Sequence, residues 1–164
     1  MQFWIMALIW APFTFLLHNV IHELSHAIIA VKNGATIVKF WPFPGKQLGY
    51  FTWAYVSYRD LEKETPMLPL APVITELILS TVFLLAFLFT PHWIRGIFLA
   101  EVVSANVDIT TWLLGYWRNP VNPACDAEQF RKQTDMSLGY GKMFLLLQAL
   151  HVFGLATLII VNLK

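Results

Sequence analysis

Apolar residues fall into four long runs, from about Phe3 to Val31, Leu68 to Phe89, Trp93 to Trp117 and Met143 to Leu163. Each can supply the ~20 helical residues that cross a bilayer. The expected architecture is therefore an all-α transmembrane bundle of about four spanning helices. Polar residues are sparse inside the runs and recur at helical spacing. Glu101, Ser104, Asp108 and Thr111 are spaced three, four and three apart, so the third helix turns one polar stripe inward. Such a stripe must pair or line a cavity. Pro12 predicts a kink or a late start in the first helix. That run lacks a basic start and a small-residue cleavage site, so it is expected to stay in the protein rather than be removed as a signal peptide.

The pattern changes between the first two runs. Ala35 to Trp41 and Gly49 to Tyr58 are rich in β-branched and aromatic residues, and Pro42, Pro44 and Gly45 separate them. This predicts a short β-hairpin directly after the first helix, over about 35–58. Phe40, Trp41, Phe43, Tyr50, Phe51, Trp53, Tyr55 and Tyr58 are too many aromatics for an exposed loop. They form either an interfacial belt or a wall that touches substrate. After the third run, Asn119, Pro120, Asn122 and Pro123 predict a turn, and Asp126 to Gln133 a short capped helix with no chemical role. No repeat or linker divides residues 1–164, so one integral membrane domain is expected.

Composition narrows the function. The chain is 57% hydrophobic and 13% charged, half the usual charged fraction, which excludes a water-soluble domain. A net charge of +1 offers no field for nucleic acid, so the partners are the lipid bilayer and membrane-associated molecules. Lys32, Lys39, Lys46, Arg59 and Lys63 lie in the first long connection, and Arg118, Arg131, Lys132 and Lys142 in the second. Arg95 and Lys164 alone lie on the other side. The positive-inside rule then puts both long connections in the cytoplasm and both termini opposite. Cys125 is the sole cysteine, so any metal must be held by His and carboxylate.

His22-Glu23-Leu24-Ser25-His26 is an H-E-x-x-H motif within the first span. On a helix the two imidazoles share one face and can reach one zinc ion, with Glu23 beside the open coordination position. Zinc lowers the pKa of a water molecule, while the glutamate takes its proton and passes it to the leaving amine. With five His and six Glu in the chain, a chance match is expected at about half a per cent. A catalytic zinc also needs a third protein ligand. Measured from the cytoplasmic helix ends, His22, Asp108 and Glu76 each lie ten residues deep, about 15 Å, whereas Glu101 is about 10 Å too deep. Asp108 and Glu76 therefore compete for the role. His18 and Asn19 continue the His22 face and suit a water-lined approach or an interhelical hydrogen bond. Gln148 and His151 suit interhelical contacts, and His92 and Cys125 have no assigned role.

His22-Glu23-Leu24-Ser25-His26-Ala27 in a first transmembrane helix, the aromatic hairpin after it, and Ser104-Ala105-Asn106-Val107-Asp108-Ile109 in the third helix together resemble the site-2 protease family of intramembrane zinc metalloproteases. The similarity is closest to its small, PDZ-less, zincin-like members and spans the chain to about Gly115. It implies Asp108 as the third zinc ligand and Asn106 as a contact to the substrate backbone or developing oxyanion. The family's usual Asp-Gly step is absent, because Ile109 follows Asp108. The implied activity is zinc-dependent hydrolysis of a peptide bond near the cytoplasmic side of a transmembrane or membrane-associated protein. The hairpin edge would capture the unwound substrate by strand addition. Two rivals are a metal-ion or proton transporter built on the same buried groups and an inactive membrane scaffold.

Overall fold

The computed structural model describes residues 2–47, 49–117 and 126–162. Its elements follow in the order α1 (Gln2–Lys32), β1 (Thr36–Trp41), β2 (Gly45–Gln47), β3 (Tyr50–Thr52), β4 (Tyr55–Arg59), α2 (Met67–Phe89), α3 (Arg95–Trp117), α4 (Asp126–Thr134) and α5 (Leu138–Asn162). Four helices, α1, α2, α3 and α5, are long and apolar enough to cross a membrane, as the hydrophobic runs predict. Leu8, Phe89 and Phe153 stand outward at 74%, 84% and 74% exposure, as side chains facing lipid would. The chain is a multi-pass membrane protein. The expected turn at Asn119 to Pro123, together with Arg118, Cys125 and Lys164, lies outside the described residues.

Proline sets two helix features. The sequence allows a late start at Pro12, but α1 begins at Gln2 and runs through it without interruption. In α2, Pro69 lies in the first turn, where backbone N–H groups have no intrahelical partner to lose. Pro72 lies deeper and removes the donor that would have met the Leu68 carbonyl four residues back.

α1 ends where Gly34 takes φ +85°, and the amides of Gly34 and Ala35 close on the carbonyls of Val31 and Ala30 at 3.1 and 3.0 Å. A side chain there would also strike Glu62. The turn sends the chain into the hairpin. β1 pairs antiparallel with β4, from Thr36 opposite Arg59 to Trp41 opposite Tyr55, and β2 pairs with β3 nearer the tip. Gly45 belongs to β2, opposite Thr52, rather than to the break between strands. Its missing side chain leaves room for Trp41 and Tyr55, which a Cβ would meet at 3.4 Å. Tyr58 and Ile37 pack on Ala30, Ala35 and Leu68, so the base of the hairpin is held against α1 and α2.

At the opposite end of the bundle, the Arg95 guanidinium donates to the carbonyls of Thr90 at 3.0 Å and Asn162 at 2.9 Å, tying together the ends of α2 and α5. Beside it, Gly96 lets α3 approach α1 closely. A Cβ on Gly96 would lie 2.2 Å from the Phe3 carbonyl oxygen and 2.9 Å from the Ala7 nitrogen, both backbone atoms that cannot rotate away. Gly96→Val is therefore expected to force α1 and α3 apart and cost about 1–3 kcal/mol. Thermal unfolding in detergent measures this, and an unchanged midpoint would contradict the close crossing.

Candidate metal centre

The inward face of α1 carries Trp10, Thr14, His18 and His22, and α3 answers with its polar stripe. Thr14 meets Ser104 at 2.8 Å, Trp10 Nε1–H donates to Glu101 at 3.2 Å, and His22 Nδ1 meets Asp108 Oδ2 at 2.8 Å. Ser25, inside the H-E-x-x-H motif, donates to Thr75 Oγ1 at 3.0 Å and fastens α1 to α2. The motif is thus held from two sides before any ligand is considered.

The two motif histidines are oriented by unlike groups. His26 Nδ1 lies 2.8 Å from the Leu68 carbonyl, the one left without a backbone donor by Pro72. A carbonyl only accepts, so Nδ1 carries the proton and Nε2 presents its lone pair. His22 Nδ1 faces the Asp108 carboxylate, and its Nε2 is presented in the same way. Both Nε2 atoms converge on one oxygen, Asp126 Oδ2, at 3.2 Å from His22 and 3.1 Å from His26.

With both rings neutral, two lone pairs and a carboxylate oxygen aimed at one another repel unless positive charge lies among them, which protons on the imidazoles or one shared cation would supply. Ligand atoms 2.0–2.2 Å from a shared tetrahedral ion stand roughly 3.3–3.6 Å apart, slightly wider than the 3.2 and 3.1 Å from Asp126 Oδ2 to the two nitrogens. Among the described residues, His22, His26 and Asp126 are the one group of three or more His, Cys or acidic side chains whose donor atoms all fall within 4.8 Å of each other. The donor set fits zinc by type, two imidazoles and a carboxylate. Burial alone would raise the Asp126 carboxyl, but positive charge on the His26 and His22 imidazoles outweighs it and holds it well below the usual carboxylate range, the same response that a cation shared by the three would produce.

Glu23 projects from α1 beside these side chains, is 7% exposed, and lies against the Val56 backbone of β4. The cluster opens into a cavity of about 930 Å³. Its walls include Glu23, the three α1 histidines, the Thr52–Tyr58 stretch of the hairpin, Asp108 and Trp112 of α3, and Asp126 of α4. The hairpin aromatics Trp53, Tyr55 and Tyr58 therefore line the cavity. Burial, with the Asp126 and Glu64 charges, pushes the Tyr58 phenol up, so it is a neutral donor at physiological pH.

The structure brings together His22, Glu23 and His26 but not every residue expected beside them. Asp108, expected as the third ligand, contacts the far nitrogen of His22, and the position opposite both Nε2 atoms belongs to Asp126. Glu76, its competitor, is fully buried on His18 Nδ1, while Glu101 takes His18 Nε2 at 3.1 Å. Both His18 nitrogens are thereby occupied, and His18 joins α1, α2 and α3. Asn106 is turned from the cavity. Its amide donates to Ser80 Oγ and the Val102 carbonyl, each at 2.8 Å, and accepts from Gln148 at 3.0 Å. These bonds saturate it as an interhelical link. Gln148 is interhelical as expected, but His151 is exposed.

Asp126 carries no local sign of its role. An aspartate opening a short helix after prolines reads as an N-cap, and only its being the first acidic residue after the third span sets it apart. Comparison with protein-family models, curated proteins and solved structures found no match to the chain.

Proposed function

We propose that this protein is a membrane-embedded zinc metalloendopeptidase that hydrolyses a peptide bond of a membrane-associated protein. The observation carrying this reading is the convergence of His22 Nε2, His26 Nε2 and Asp126 Oδ2 beside the buried Glu23, at the wall of a cavity large enough for a peptide segment. In this reading His22, His26 and Asp126 hold the metal, and Asp108 orients His22. The resemblance of the motif-bearing helix and aromatic hairpin to site-2 proteases points the same way, with Asp126 in the place that resemblance gives to Asp108.

Zinc, when bound, supplies Lewis acidity toward the scissile carbonyl and makes a water molecule acidic enough to attack at neutral pH. Glu23 then acts at one carboxylate oxygen, taking the proton of the attacking water and delivering it to the departing amide nitrogen. A spanning helix hides its amides in its own hydrogen bonds, so the substrate must unwind before cleavage. Strand β4, one edge of which is paired to β1, offers its other edge along the cavity to the extended segment. With the basic long connections in the cytoplasm, the cut falls near that side of the bilayer.

The test is purification in detergent, metal analysis, and hydrolysis of a reporter carrying a transmembrane segment. About one zinc ion per chain is expected, with cleavage abolished by a chelator and restored by zinc. A chain that holds no divalent metal and cleaves nothing would overturn the reading. Cation transport draws support from the buried Glu76–His18–Glu101 triad, but leaves unexplained a buried carboxylate next to the first ligand.

A further inference from the structure

We infer that α4 is a docking arm that completes the metal site from outside the four spans, and that Phe130 is the positioning residue that seats Asp126. This rests on the metal-centre reading above and adds how the third ligand reaches its place. His22 and His26 ride on a spanning helix and are fixed by neighbours within the bundle. Asp126 opens a nine-residue helix that is not one of the candidate spans. A helix so short is marginal by itself, so the position of Asp126 depends on what α4 packs against.

Among the described residues that contact includes an apolar patch. Ala127 and Phe130, three residues apart and 1% and 9% exposed, enter a buried cluster with Val73 of α2 and Ile109, Trp112 and Leu113 of α3. The Phe130 ring lies 5.6 Å from that of Trp112, centroid to centroid. Trp112 is itself held by a 3.1 Å hydrogen bond from its Nε1–H to the Pro69 carbonyl. Glu128 pairs with Lys132 at 3.0 Å along α4, so this ion pair supports the helix and adds no tie to the bundle. Asp126 stands one residue before Ala127, at the end of the patch nearest the cavity. Docking and metal binding must then favour each other by the same free energy, because Asp126 joins the ligands only when α4 is seated.

Zinc affinity of the full-length protein in detergent, read by competition with a chromophoric chelator, tests the coupling. Phe130→Ala is expected to weaken binding by roughly 10- to 100-fold, the effect typical of groups that position a ligand. Phe130→Leu, which keeps most of the apolar contact, should restore most of the affinity. In an Asp126→Asn background, Phe130→Ala should change nothing further, because the ligand it positions is gone. Unchanged affinity in Phe130→Ala would overturn the inference, as would an equal loss in both backgrounds, which marks general unfolding. A wild-type protein that binds no zinc would remove the metal-centre reading as well, whereas zinc binding indifferent to Phe130 would remove the docking arm alone.

Discussion

Asp126→Asn is expected to lower zinc affinity by more than about 100-fold, beyond the range for a group that only orients a ligand. Asp108→Asn is expected to lower it by about 10- to 100-fold, because Asp108 acts through His22 Nδ1. Glu76→Gln, on the far side of His18, should leave affinity unchanged. The ranking follows from geometry. Asp126 Oδ2 lies 3.2 and 3.1 Å from the two nitrogens that face each other, whereas Asp108 holds the opposite edge of one ring. An amide at 126 keeps the shape but loses the negative charge that offsets a dication in a partly desolvated site. Parallel metal titrations of the three variants measure the order. A larger loss at Asp108 than at Asp126 would return the third-ligand role to Asp108 and leave Asp126 as a cap of α4.

Glu23→Gln should leave metal content intact and reduce peptide hydrolysis by about 10²- to 10⁴-fold, the usual worth of a general acid–base group. The side chain is buried beside the cluster and contacts the Val56 backbone, so glutamine fits the same space and keeps a hydrogen-bonding tip. What it loses is the capacity to accept and return a proton. The same variant separates hydrolysis from transport: a protein that moves cations along His18, His22 and His26 should keep its flux without Glu23. Metal retained with hydrolysis unchanged would remove Glu23 from the chemistry.

The parts of this molecule that could be read in advance are those set by nearby residues. Spanning helices show in an unbroken apolar run, since a backbone in lipid has to satisfy its own hydrogen bonds and side chains have to suit hydrocarbon. His22, Glu23 and His26 share a helix, so a spacing of four places both imidazoles on one face whatever surrounds them. The stripe from Glu101 through Ser104 to Asp108 likewise faces α1 as its period requires, while Thr111 at its end is exposed and lines the cavity. Asn106, two residues before Asp108, lies off that stripe; the substrate contact expected of it came from the resemblance alone, and its amide is taken by Ser80 and Gln148.

The amino-acid order thus determined the membrane character, the four spans, the hairpin and two of the three converging donors, all through local periodicity. Tertiary structure alone decided which carboxylate meets those donors. Asp126 is 100 positions beyond His26 and arrives through the packing of Phe130 on Trp112, a contact between elements that no local pattern encodes. The orientation of His26 shows the same division. Pro72 visibly strips the Leu68 carbonyl of its backbone donor, but that an imidazole from another helix takes its place depends on how α1 and α2 cross.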